Sequence, residues 1–251
     1  MDAPAQELQE IYQDALASYL ISMAKTVENS VNHALDALLR PRQSTAANLA
    51  SRVFLMEPRV NEMEILIDDH AVRLLRTGLL GEEEIRRVVA SQKIANDLER
   101  IGDLAVNISE RVLSLAEMGQ TQPPEELEPM TGAVRAMMNR SLGALIFRNV
   151  VLANQVLEAD DVVDRYRDQI FEHLLSGMTT EPSNAAPHLQ FVLATRYLER
   201  IADHATNIAE DIIFWVRGLD IRHARTRAGT GPDRAPDAAP GCEAPAAAAT
   251  P

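Results

Sequence analysis

Glu99, Asp103, Asn107 and Glu110 follow one another at helical spacing in LERIGDLAVNISERV, and Glu199, Asp203, Asn207 and Glu210 do the same in LERIADHATNIAEDI. The offset is a constant 100 residues (199 − 99, 203 − 103, 207 − 107, 210 − 110). At about 100° per residue, the four oxygen-bearing side chains of each stretch gather on one side of a helix. Leu98, Ile101, Ala105, Ile108 and Val112 form an apolar seam on nearly the opposite side, as do Leu198, Ile201, Ala205, Ile208 and Ile212. Carboxylates four residues apart on a helix repel one another mildly. A face kept acidic twice therefore invites a positive partner, and oxygen ligands of this kind suit a hard or borderline cation. A solvated helix face is the plainer reading of one such stretch, and descent of both halves from one ancestor is the plainer reading of the duplication.

The preceding segments offer companion ligands. EPRVNEMEILID sets Glu57, Asn61, Glu64 and Asp68 beside an apolar seam of Met56, Val60, Met63 and Ile67. DDVVDRYRDQI repeats this incompletely: Asp160 and Asp164 match Glu57 and Asn61, but Arg167 replaces Glu64. Two facing helices, each with oxygen ligands at i and i+4, can surround a cation whose charge offsets the repulsion.

These residues need helices to carry them. Apolar residues at helical spacing (Leu8, Ile11, Tyr12, Ala15, Tyr19, Met23, Val27, Val31, Ala34, Leu35, Leu38) predict a first helix over about 5–40, interrupted by RPRQS. A second helix is expected over 44–77, ended by Gly78 and Gly81, and Glu82 to Glu84 suit the positive N-terminal end of a third reaching about Met118. The second half predicts helices over about 129–153, 155–176 and 187–217, with Gly218 as the last C-cap. The fold class expected is all-α, two tandem similar three-helix bundles, over residues 1–121 and 122–223. Residues 224–251, rich in Ala, Pro and Gly, are expected to be a disordered tail.

Composition narrows the function classes. The chain of 251 residues is 46% hydrophobic and 4% aromatic, a helix-forming balance with enough apolar side chains for a core. A net charge of −13 without a segregated basic patch argues against nucleic-acid binding. The N-terminal MDAPAQELQE lacks the basic and apolar regions of a signal peptide, and GALIFRNVVLANQV is broken by Arg148 and Asn149, so a cytoplasmic protein is expected. The single Cys242 allows neither a disulfide framework nor a cysteine metal site. Nucleotide, zinc-protease and hydrolase motifs are absent, and no Glu has the His three residues on that diiron carboxylate enzymes need. His33, His70, His173 and His204 read as surface or structural, with His204, next to Asp203, the nearest to an exception, and the arginines of EIRRVVASQK read as solvated.

VNEMEILID, the pair LERIGD and LERIAD, and YLERIADHATNIAEDIIFWVRG, set in a threefold-helix repeat, resemble the PhoU family of phosphate-specific transport accessory proteins over about residues 5–223. The resemblance implies two three-helix bundles, commonly a homodimer in the cytoplasm. It implies a protein that is not an enzyme and that restrains the phosphate ABC transporter, through its ATPase subunit, and a phosphate-sensing histidine kinase when phosphate is ample. Membrane contact is expected only through such protein partners. The family's [ED]xxxD motifs fall on Glu99 with Asp103 and on Glu199 with Asp203, and the companion positions on Glu57 with Asn61 and Asp160 with Asp164. These eight are the expected ligands of divalent or ferric ions: iron, zinc, manganese or magnesium. Glu57 stands where Asp is usual, Asn61 is a weaker ligand than a carboxylate, Pro58 falls between them, and Arg167 burdens the second set, so the first is expected to bind more tightly. The rival readings are a metal-dependent carboxylate enzyme and a structural helical module that binds nothing.

Overall fold

A computed structural model describes residues 3–118 and 122–222. The described residues form six long α-helices and one 3-10 turn. They are α1 (Ala3–Leu39), α2 (Ala46–Arg76), α3 (Glu82–Glu117), α4 (Leu127–Phe147), α5 (Val150–Thr180), the turn Pro182–Asn184, and α6 (Ala185–Arg217). The all-α expectation holds, while the expected tail lies outside the described residues.

Local chemistry sets most of the boundaries. α1 stops just before Pro41, which has no amide hydrogen and disfavours helix in the residue before it. α3 starts where the Gly81 amide donates to the Glu84 carboxylate at 2.8 Å, three acids occupying its first turn. Gly218 ends α6 in the left-handed region (φ 69°), as expected. α2 runs through Pro58 unbroken: the proline is exposed, and the bond missing at the Phe54 carbonyl is lost on the solvent side.

Three expectations need correction. The helix expected over 129–153 ends at Phe147, Arg148 adopts a left-handed conformation (φ 49°, ψ 42°), and a new helix begins at Val150. The signal is Asn149, whose side chain accepts from the amides of Val151 at 2.9 Å and Leu152 at 3.2 Å; the apolar run around it hid this N-cap. α5 continues past Ser176 to Thr180 through Gly177, which lies against His188 of α6, where a Cβ would come within 2.5 Å of the imidazole. On α1, Ile11 is 55% exposed and the core is met instead by Leu16 and Leu20.

The helices pack antiparallel in sequence order. Val60 of α2 meets Gly102 of α3, and further along the pair Asp68 meets Gln92. α3 and α6 join the repeats, also antiparallel: Lys93 pairs with Asp211 at 3.2 Å, Asp97 with His204 at 2.7 Å, and Arg111 with Gln190 at 3.2 Å. As the number rises on one helix it falls on the other, so equivalent residues of the two repeats meet about a local two-fold near Ile101 and Ile201. The buried side chains of both repeats form one continuous core. Arg148 and Arg87 both lie over the Trp215 ring, their guanidinium carbons 5.1 and 5.9 Å from its centre, and burial and the neighbouring Arg148 push the Arg87 pKa down. Arg87 also donates to the Gln13 carbonyl, so it is not the solvated arginine expected.

Candidate metal centre

The two apolar seams turn the stripes toward each other. Leu98, Ile101, Ala105, Ile108 and Val112 are buried on α3, and Val60, Met63 and Ile67 on α2. With Val60 seated on Gly102, the next positions outward on each helix are Glu57, Asn61 and Glu64 on α2 and Glu99 and Asp103 on α3. The stripe is therefore a flank of the helix pair rather than an open face. Glu99 keeps only 17% of its side-chain exposure, Asp103 42%.

That setting makes ionisation costly in the first repeat. Burial, and then Asp103 and Glu64, hold the Glu99 pKa above the ordinary glutamate value, Arg100 opposing them from the solvent side. Glu64 is raised by burial, Asp68 and Asp103. Arg100 reaches Glu99 at 3.4 Å and Asp103 only at 4.0 Å, and its own side chain is 54% exposed, so it screens weakly. Asn61 Nδ2 donates to Glu57 Oε1 at 2.6 Å, which turns Asn61 Oδ1 inward, buried and without a hydrogen-bond partner. A buried acceptor left unsatisfied costs about 1–3 kcal/mol. The first repeat thus has an orphaned amide oxygen and carboxylates short of positive charge, a donor set that fits a hard or borderline cation.

The second repeat differs at one side chain. Arg167, at the place of Glu64, extends from α5 between the acids: its Nη1 lies 2.8 Å from Asp164 Oδ1 and 2.5 Å from Glu199 Oε1, and its Nη2 2.9 Å from Asp168. Glu199 is 15% exposed and also faces Arg196 at 3.9 Å. Asp203 is raised by burial, Glu199 and Asp164, against which His204 and Arg167 act. Here the guanidinium stands where a metal would, and this donor set does not fit a cation without Arg167 moving. Asp160 lies one turn before Asp164 on α5, half-buried.

The eight expected residues thus fall into two groups, one in each repeat, with their helices paired as expected. Their side chains do not converge: among the described residues no three His, Cys, Asp or Glu stand together in a way that would enclose a metal. Glu57 is turned to Asn61, and Glu99 to Arg100. The outer members of the stripes serve other contacts. Asn207 donates to Asp97 at 3.2 Å, and Glu110 pairs with Arg111 at 3.1 Å. His204 is structural, its Nδ1 donating to the same Asp97 carboxylate. Asp97 went unnoticed in the sequence because its repeat equivalent is Tyr197, so comparing the halves gives no signal there.

The PhoU domain family model matches residues 20–112 and again 127–212, once per repeat. A phosphate-specific transport system accessory protein PhoU homolog from Pseudomonas aeruginosa is 34% identical over 207 residues, 82% of this chain and 84% of the relative. One of the same description from Aquifex aeolicus is 34% identical and covers 81% and 90%. The crystal structure of PhoU from Pseudomonas aeruginosa superposes with a TM-score of 0.79 at 32% identity, covering 84% of this chain and 99% of that one. PhoU from Streptococcus pneumoniae, at 24% identity and a TM-score of 0.73, shares the fold. Six helices in two repeats, each matched separately by the family model and together by whole-length relatives, place this chain in the PhoU family.

Proposed function

We propose that this protein is a non-enzymatic regulator of phosphate uptake, which restrains a phosphate ABC transporter and quiets a phosphate-sensing histidine kinase pathway when phosphate is ample. The observation that carries this is the family match through both repeats, among relatives described as accessory proteins of the phosphate-specific transport system. Restraint by a separate protein is a binding effect: it must hold the resting state of its partner more tightly than the working state, by a differential free energy. The protein works in the cytoplasm as a homodimer, on the transporter's ATPase subunit and on the kinase, and meets the membrane through them. Among the described residues no helix is long and apolar enough to cross a bilayer.

Metal belongs to this proposal. Glu57, Asn61, Glu99 and Asp103, with Glu64 beside them, would hold a divalent or ferric ion: iron, zinc, manganese or magnesium. What supports it is the unsatisfied Asn61 Oδ1 and the crowding that raises Glu64 and Glu99. Bound there, the ion supplies positive charge that ties α2 to α3 and steadies the surface a partner reads. Deleting the gene is expected to raise phosphate uptake and switch on phosphate-starvation genes in phosphate-rich medium. Unchanged uptake and reporter output in a clean deletion would turn the proposal toward another client.

A further inference from the structure

The two repeats carry the same acidic stripe but opposite charges at one position. Counting from the matched pair Asn61 and Asp164, Glu64 and Arg167 are equivalent (64 − 61 = 167 − 164). Glu64 is a carboxylate facing Asp68, Asp103 and Arg100, whereas Arg167 bridges Asp164, Asp168 and Glu199 across two helices. Exchanging one for the other changes the local charge by two units. We propose that Arg167 supplies from within the chain the positive charge that the first repeat would take from a bound cation, so that the second stripe, with Asp160, Asp164, Glu199 and Asp203, is closed to metal by a guanidinium.

This rests, for the first repeat, on the metal reading above. The geometry of the second repeat stands by itself. A guanidinium presents several donors in a planar fork, satisfies more than one carboxylate, and does not dissociate. Its hold on Asp164 and Glu199 keeps α5 and α6 together at the level where the first repeat has like charges across α2 and α3. The second stripe accordingly keeps its bridge without a cation, whereas the first would respond to cation supply. A regulator built this way reads metal on one side only.

The test uses the full chain, stripped with chelator, loaded with manganese(II), freed of excess metal and assayed for bound metal and melting temperature. In the wild type, Glu99→Gln with Asp103→Asn removes the bound manganese, while Glu199→Gln with Asp203→Asn leaves it unchanged. Arg167→Glu, which restores the first-repeat residue, doubles the manganese content, and the milder Arg167→Gln raises it should the charge reversal not fold. Both lower the melting temperature in chelator and regain it with manganese. Glu64→Arg abolishes binding in the first repeat and raises the metal-free melting temperature. A wild type holding metal in both repeats, or Arg167 variants with no more manganese than the wild type, overturns the inference and leaves the first-repeat site standing. A metal-free wild type whose Arg167 variants do bind manganese supports the inference and removes the first-repeat site. If none of these proteins binds, both fail.

Discussion

Asp97 on α3 accepts a hydrogen bond from His204 Nδ1 on α6 at 2.7 Å and a second from Asn207 at 3.2 Å. The Asp97 side chain is 11% exposed, so this carboxylate sits almost dry between the repeats. Replacing Asp97 with Ala leaves two donors facing an emptied acceptor position. We expect a loss of about 1–3 kcal/mol, the cost of stranding partly buried polar groups, seen as a lower melting temperature. A variant as stable as the wild type would show that water or a neighbour replaces the carboxylate without penalty.

The metal-free protein should show a pH dependence traceable to the stripes. Glu64, Glu99 and Asp203 have folded-state pKa values above those of the unfolded chain, so folding binds protons at these sites. Their contribution to stability is fully present below the unfolded carboxylate range and is lost as pH rises through the raised folded values. In chelator, Glu64→Gln with Glu99→Gln should gain more over the wild type at about pH 7 than at about pH 4, because the removed charges exist only at the higher pH. Melting curves at both pH values check this; an advantage equal at the two would mean that the charges do not repel.

Gly177 and His188 should be energetically coupled. A Cβ at position 177 would come within 2.5 Å of the His188 ring, so Gly177→Ala displaces that half-buried side chain, at less than the about 1–3 kcal/mol that overpacking costs in a dense core. With His188→Ala the clash is gone and the same change gains about 1 kcal/mol of helix propensity. A double-mutant cycle in denaturant should show Gly177→Ala less favourable with His188 present than with His188→Ala. Additive effects would count against contact between the two.

Asn149 should be worth a full helix cap. Asn149→Ala removes the acceptor for the Val151 and Leu152 amides and is expected to cost about 0.5–2 kcal/mol. Asn149→Asp, which keeps the oxygen, should cost much less. Equal losses in both variants would assign the effect to the Arg148 turn instead.

The sequence by itself determined the six helices, most of their buried faces and the residue-by-residue correspondence of the two repeats. Leu98, Ile101, Ala105, Ile108 and Val112 bury one face because their spacing follows the helical period, and a hydrophobic seam acts over whatever apolar surface it meets. Glu99 and Asp103 were likewise legible as a candidate site, because duplication separates kept polar residues from drifting ones. The α4–α5 corner was not, since apolar periodicity runs across it and only the cap at Asn149 marks the break.

Tertiary structure decided what each stripe faces. That Glu99 is largely covered depends on α2 meeting α3 with Val60 over Gly102, a register that neither helix encodes alone. That Arg167 closes the second stripe depends on reaching Glu199, 32 residues away, from the adjoining helix. Asp97 and His204, 107 residues apart, meet only because α3 and α6 cross between the repeats. Periodicity is a property of one helix, readable along the chain. Charge neutralisation depends on distances of a few ångströms between helices, and packing alone fixes those.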